Sequence, residues 1–246
     1  MAWNLSTGAK KALLGADAEV LVALTAQTIS FGDGTGTGGL DQILDAGNGL
    51  AVFDDYPYYL MTVSGSTSND GTYLIKTVAP GAIEIPAGNL TTEIAGNPVI
   101  LTVQKGGSFC DVFRNCTLHL YNGSRPANAD AIENGTKLVE MTLNGDPFVS
   151  GSPDNGINFE VDDDGNIVLM DDPATGVDQK IRGTGLVTGG ALFGRLYANT
   201  VVTGASTSAV RMDGRVATSG VEINMSAGTT VTQNVDADVD DLSMTI

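Results

Sequence analysis

Thirty-two glycines in 246 residues, scattered without a collagen period and ringed by Ser, Thr, Asn and Asp, constrain this chain more than any other feature. Such clusters are turn chemistry, and short β-branched segments between turns are strands. A mainly β fold follows. Apolar residues make up 42% of the chain and charged residues 17%, enough to build a core and too little charge for a solvated tail. A chain of this length makes two small domains or one large one, and neither needs a disulfide or a metal to hold it.

The first fifteen residues stand apart. Ser6 before TGAKKALLG reads as the N-cap of a short helix that Gly15 ends. A helix this short is marginal alone, so its apolar side, with Trp3 and Leu5 of the preceding arm and Leu13 and Leu14 at its end, must dock on this chain or a neighbour. Residues 16–105 then read as a small β-barrel-like module: EVLVALTAQTISF, YYLMTVSGSTSNDGTYLIKTVAPGAIEI and NPVILTV are strand segments. Within it Asn69-Asp70-Gly71 is expected to supply a hairpin turn with positive φ, and Ala79-Pro80-Gly81 a second turn. Lys105-Gly106-Gly107 reads as a hinge. In residues 106–246, SFCDVFRN places Phe109, Val112 and Phe113 at helical spacing before the strand Thr117–Tyr121. KLVEMTL, INFEV, NIVLM, LFGRLYANTVV, AVRMDGRVA and VEINMSA follow, the pattern of a β-sandwich or jelly-roll-like body.

Twelve Lys plus Arg against 29 Asp plus Glu give a net charge of −17. Such a chain repels phosphate backbones and anionic lipid, so neither nucleic acid nor membrane is an expected partner. Cys110 and Cys116 have no second pair to complete a metal site and read as reduced core residues. MAWNLSTGAKKALLG carries two lysines without an apolar run of signal-peptide length, so assembly in a cytosol is expected.

Candidate chemistry is sparse. His119, the single histidine, alternates with Leu118 and Leu120 and so points to the other face of its strand. No Gly-x-Ser-x-Gly elbow accompanies it, and it reads as a satisfied or surface histidine. The run EVDDDGNIVLMDD offers Glu160, Asp162, Asp163, Asp164 and Asp171 as hard oxygen ligands, but its flanks read as strands where an EF-hand has helices, so an Asp-Gly hairpin accounts for it better than calcium. Asp54-Asp55 and Asp171-Asp172 are adjacent pairs, and adjacent strand residues face opposite ways, so neither pair flanks one glycosidic bond unless the chain turns sharply there. Gly32 to Gly39, GDGTGTGG, lacks the Gly-Lys-Ser/Thr ending of a phosphate loop and reads as a flexible loop. Tyr56, Tyr58 and Tyr59 form an aromatic patch that is either a contact surface or core packing. A non-enzymatic protein without cofactor or metal is the expectation.

NLSTGAKKALLG, TLHLYNGSRPANADAIENGTKLVEMTL and RMDGRVATSGVEINMSAGTTVTQ, in that order, resemble a family of tailed-bacteriophage virion proteins. In its shorter members the helix runs almost directly into a counterpart of SFCDVFRNCTLHLYNG, which makes residues 16–105 an inserted module. That insert is itself similar, over MTVSGSTSNDGTYLIKTV and LTTEIAGNPVILTV, to a sequence recurring in phage structural proteins. The resemblance implies a virion structural protein assembled in the bacterial cytoplasm. Its first form is a capsid decoration or cement protein that binds the major capsid protein through the N-terminal arm and β edges, as a homo-oligomer and most simply a trimer. Its second is a tail, collar or fibre component contacting neck proteins or the host surface. Trp3, Leu5, Leu13, Leu14, Tyr56, Tyr58 and Tyr59 are the candidate assembly contacts.

Overall fold

The computed structural model describes residues 3–16, 20–57, 59–104, 106–151, 155–161, 166–170 and 180–244. The chain is mainly β and divides into two compact units, Leu13–Asp111 and a body made of Met1–Ala12 with Val112–Ile246. The divisions fall a few residues outside the expected 16–105, and the first twelve residues cluster with the body.

The reason is where they pair. Strand β1 (Asn4–Leu5) sets Asn4 opposite Asp213 and Leu5 opposite Met212. Trp3, only 8% exposed, donates its indole N–H to the carbonyl of Ser243 at 2.9 Å. Helix α1 (Thr7–Leu13) follows. Ser6 caps it as expected, accepting the Ala9 N–H at 3.0 Å while its hydroxyl donates to the Ala209 carbonyl at 2.7 Å. A Cβ on Gly8 would stand 2.4 Å from the Ser208 carbonyl oxygen, so only glycine lets the helix sit this close.

Among its described residues the inserted unit has eight strands: β2 (Val20–Ala26), β3 (Ile29–Gly32), β4 (Asp41–Asp45), β5 (Leu60–Ser64), β6 (Gly71–Leu74), β7 (Thr77–Ala79), β8 (Ala82–Ile85) and β9 (Val99–Gln104). They form two four-stranded sheets, β2-β9-β5-β6 and β3-β4-β8-β7. Two residues separate β2 from β3, and two separate β6 from β7, so one chain segment on each side leaves one sheet and enters the other. The sheets therefore share both edges and close as a small barrel. Alternation fills it: Ile29 and Phe31, Met61 and Val63, Ile83 and Ile85, and Val99, Leu101 and Val103 all point inward onto Leu50 and Phe53.

Two sequence expectations change here. Asn69, Asp70 and Gly71 do not take positive φ; Gly65 does, at 84°. Asn69 is instead buried and brackets the strand ends, donating to the Thr91 carbonyl at 3.0 Å and accepting the Thr91 N–H at 2.8 Å. Nor is Gly32 to Gly39 loose. The Asp41 carboxylate accepts the Gly34 N–H at 2.9 Å, Glu84 accepts that of Thr37 at 2.9 Å, and Gly36 bonds to Leu40.

The body resumes with α2 (Phe109–Val112), a helix straddling the division, and strands β10 (Thr117–Tyr121), β11 (Lys137–Leu143), β12 (Phe159–Val161), β13 (Ile167–Leu169), β14 (Ile181–Thr184), β15 (Gly189–Gly190), β16 (Phe193–Tyr197), β17 (Arg211–Ala217), β18 (Ile223–Asn224), β19 (Thr230–Val231), β20 (Asp236–Val239) and β21 (Asp241–Leu242). Its main sheet runs β20-β14-β11-β10-β16-β17-β18-β21, with β1 beside β17. The two end strands are separated by one residue, Asp240, whose N–H bonds to the Asn224 carbonyl at 2.9 Å. One continuous segment thus pairs with β14 through its first half and β18 through its second, curling the nine strands into a nearly closed barrel. Strands β12 and β13 pair as the expected hairpin; Asp162, Asp163, Asp164, Asp171 and Asp172 of the acidic run lie outside the described residues. Cys110 and Cys116 are buried and form no disulfide with each other, and burial pushes the Cys116 thiol well up from its ordinary value.

The closing segment and Trp3 hold each other. The indole lies over Gly214, where a Cβ would stand 2.8 Å from the ring. Replacing Trp3 by Ala is expected to cost about 3–5 kcal/mol, read as a lowered urea midpoint. A loss under about 1 kcal/mol would show that the N-terminal strand is an accessory to the barrel.

Candidate functional site

Strands β10 and β16 are buried on both faces, so something covers the outer one. Register shows what. On one face Leu118, Leu196 and Met212 align in the apolar core; on the other His119, Arg195 and Asp213 form one row and Thr117, Tyr197 and Arg211 the next. The connection from residue 122 to 136, which contains SRPANAD, lies on this second face.

Two arginines with no exposed side-chain surface anchor it. Arg195 grips Asp213 with two hydrogen bonds, 2.5 and 2.8 Å, and its remaining nitrogen donates to the Ala131 carbonyl at 2.9 Å and to Glu133 at 2.8 Å. Arg211 donates to the carbonyls of Ala129 at 2.7 Å, Val202 at 2.8 Å and Asp130 at 3.1 Å. Glu133 also accepts the Tyr197 hydroxyl at 2.6 Å and the Gly204 N–H at 2.9 Å. Two guanidiniums face two carboxylates, so the cluster is electrically balanced, and its hydrogen bonds run to backbone carbonyls as much as to side chains. Asp130 completes the interlock from the other side, accepting both the N–H and the hydroxyl of Thr7 at 2.8 and 2.6 Å.

The protonation states follow from these contacts. Burial works against the charge of Arg195, but Asp213 more than offsets it and holds the guanidinium protonated. Burial likewise opposes the Glu133 carboxylate, yet the Tyr197 hydroxyl, the Gly204 N–H and Arg195 together bring it below the usual range. The Tyr197 hydroxyl, buried and donating to Glu133, is pushed far up.

His119 sits at the edge of this face, 2% exposed. The sequence suggested a satisfied or surface histidine, but this one is buried and its Nε2 lacks a hydrogen-bond partner. Its ring lies 4.8 Å from that of Tyr197, and its Nε2 approaches Glu140 at 3.1 Å without the alignment of a hydrogen bond. Burial lowers its pKa, with Lys137 acting the same way and Glu140 opposing them, so the ring is neutral near pH 7. Glu140 is drawn down to about 2, by His119 first and by Lys137, whose ammonium is 2.9 Å away.

The expected assembly contacts are dispersed. Trp3 is buried in the body and Leu5 half-buried on β1, so both serve the chain's own fold. Leu13 is half-buried and Leu14 is 84% exposed. Tyr56 and Tyr59 are half-buried and pack edge to face, 5.3 Å apart, against the barrel core, which favours core packing for these two rings. Tyr58 lies outside the described residues. A cleft of about 350 Å³ between the β12–β13 hairpin and the β20–β21 segment is floored by Phe159, Ile181 and Val239. The residues that sequence reading passed over are Glu133, Arg195, Arg211 and Asp213.

No family model, curated protein or solved structure matches this chain.

Removing one partner from a buried charge cluster strands the others. Glu133→Ala is expected to destabilise the body by about 3–5 kcal/mol in urea unfolding; a loss below about 1 kcal/mol would mean water replaces the carboxylate. His119 yields a second expectation. Its folded pKa lies below its ordinary 6.5, so the unfolded chain binds the proton first, and stability held above pH 6.5 is lost as pH falls through that value. His119 is the single histidine in the chain and the side-chain type whose ordinary value lies in this range, so the slope between about pH 6.5 and 5.5 is assigned to it. His119→Asn should flatten it; an unchanged slope refutes the assignment.

Proposed function

We propose that this chain is a non-enzymatic structural protein of a tailed-bacteriophage virion, acting as a capsid decoration protein that binds the major capsid protein. One observation supports this above the others. The segments that carry the resemblance, YNGSRPANAD and RMDGRVATSG, are distant in sequence yet meet in one buried interlock, where Arg211 and Asp213 of the second hold, directly and through Arg195, the connection built by the first. What these segments specify is therefore a rigid shape, with charges engaged in holding backbone in place. Rigid shape and an acidic exterior suit a protein laid in many copies on a shell, where the outer face must stay soluble.

The arm is not the docking device in this reading, because Trp3 and Leu5 are engaged within the body. Contacts to the shell come from exposed groups, of which Leu14 at 84% is the most prominent apolar one near the N-terminus.

Copy number tests the proposal. Densitometry of purified particles is expected to find on the order of hundreds of copies, as symmetric repetition over a shell requires. A handful per particle would move the protein to the neck, tail or a fibre, and absence from particles would overturn the virion reading itself.

A further inference from the structure

Two basic side chains converge on one oxygen at the edge of the interlock. Glu140 Oε2 lies 2.9 Å from the Lys137 ammonium and 3.1 Å from His119 Nε2. Lys137 donates an aligned hydrogen bond to it, whereas Nε2 is the one buried side-chain nitrogen or oxygen among the described residues that has no hydrogen-bond partner. The other side of the ring explains why. Glu133 is ionised and can only accept, and the Tyr197 hydroxyl donates to it at 2.6 Å. With the Tyr197 proton committed, the 3.1 Å contact between Tyr197 and Tyr121 needs the proton of Tyr121, which leaves the Tyr121 oxygen to accept from His119 Nδ1, 3.5 Å away. The neutral ring therefore carries its single hydrogen on Nδ1 and turns a bare lone pair toward a carboxylate.

We propose that His119, Glu140 and Lys137 form a proton-operated switch in which the carboxylate changes partner, from Lys137 when the ring is neutral to His119 when the ring is protonated. The charges around the ring require such a response. Strand β11 brings Glu140 and Lys137 to it, β16 brings Arg195 and Tyr197, β17 places Asp213 and Arg211 behind these two, β10 itself adds Tyr121, and the 122–136 connection adds Glu133. Arg195, Arg211 and Lys137 are thus matched by Asp213, Glu133 and Glu140, and a neutral ring leaves the set balanced. A proton on Nε2 adds a cation where the side chain is only 3% exposed, and a buried cation needs a partner. Glu140 is the carboxylate already in reach.

Exposure decides which groups move. The ring is fixed by its surroundings, whereas the Lys137 and Glu140 side chains are 36% and 34% exposed. A pair that open to water is weakly held, so Lys137 returns to solvent at little cost, while a small turn of the carboxylate aligns Oε2 with Nε2–H in a buried, charge-assisted hydrogen bond. Lys137 is the first residue of β11, so the acid form presents a released ammonium at the end of the 122–136 connection. The stability lost on acidification levels off once the folded ring has taken its proton. Nothing in this switch depends on the virion reading.

An NMR titration of the full chain from about pH 7.5 to about pH 4.5, the range in which a histidine changes charge, tests it by following the His119 ring, the Glu140 carboxyl carbon and the Lys137 side chain. All three signals are expected to move with one midpoint, although Glu140 itself ionises at about 2, and the Lys137 side chain should become more mobile below that midpoint. Lys137→Gln removes the competitor and should raise the proton affinity of His119 by about threefold or more. Glu140→Gln removes the acceptor and should lower it by about tenfold or more, as expected for a charge at this distance. Lys180→Gln deletes the same charge at the other end of β11, beside Asn144, and should leave it unchanged. Glu140 and Lys137 signals that stay fixed while His119 titrates, a Lys137→Gln protein whose His119 binds its proton no more tightly, or a ring that remains neutral down to about pH 4.5 in the folded chain would each overturn the proposal.

Discussion

The body depends on two guanidiniums that have no access to water. Arg195 and Arg211 hold the 129–133 backbone against the outer face of β10, β16 and β17, and without that connection the face would be an exposed array of polar side chains. Burying two cations is costly, and the cost is tolerable only because Asp213 and Glu133 balance them and backbone carbonyls take up the remaining N–H groups. Such a cluster admits one arrangement well and its alternatives badly. A carbonyl moved by one residue leaves a buried guanidinium N–H without an acceptor, so the charges fix the path of the connection more sharply than apolar packing would. The helix follows from the same anchor, since Asp130, whose own carbonyl Arg211 holds, also accepts the first N–H of α1.

Both units meet the problem of open sheet edges in the same way. An unpaired strand edge invites pairing with another chain. In the inserted unit one segment on each side crosses from sheet to sheet; in the body the 236–242 segment pairs with both ends of the main sheet. Closure by continuous chain leaves few open edges in these sheets among the described residues.

Much of this architecture was legible in the sequence because the physics behind it is local. Met61 with Val63, Ile83 with Ile85, and Val99 with Leu101 and Val103 show period-two burial on the page, and Ser6 before an apolar helical stretch announces a cap. What was not legible is non-local or runs against a base expectation. Strand β14 reads IRGT and β20 reads DADV; neither has an apolar run, because their outward residues form the Arg182–Asp238 pair at 2.5 and 2.7 Å. Strand β1 is two residues long and shows no period, so nothing local said that Trp3 would find Ser243. Arg195, Arg211, Asp213 and Glu133 drew no notice in the sequence, because charged residues are rarely buried. A spacing of two between Arg211 and Asp213 on a strand whose neighbours are apolar was the one available signal, since it places opposite charges on a single face.

The insertion itself has a physical reading. Strands β2 and β9 are first and last in their unit and pair antiparallel, with Val20 opposite Gln104, so the chain enters and leaves the small barrel at neighbouring points. A module with adjacent ends adds little loop-closure entropy to whatever hosts it. The barrel has its own apolar core, and the body has its own charge-anchored interlock.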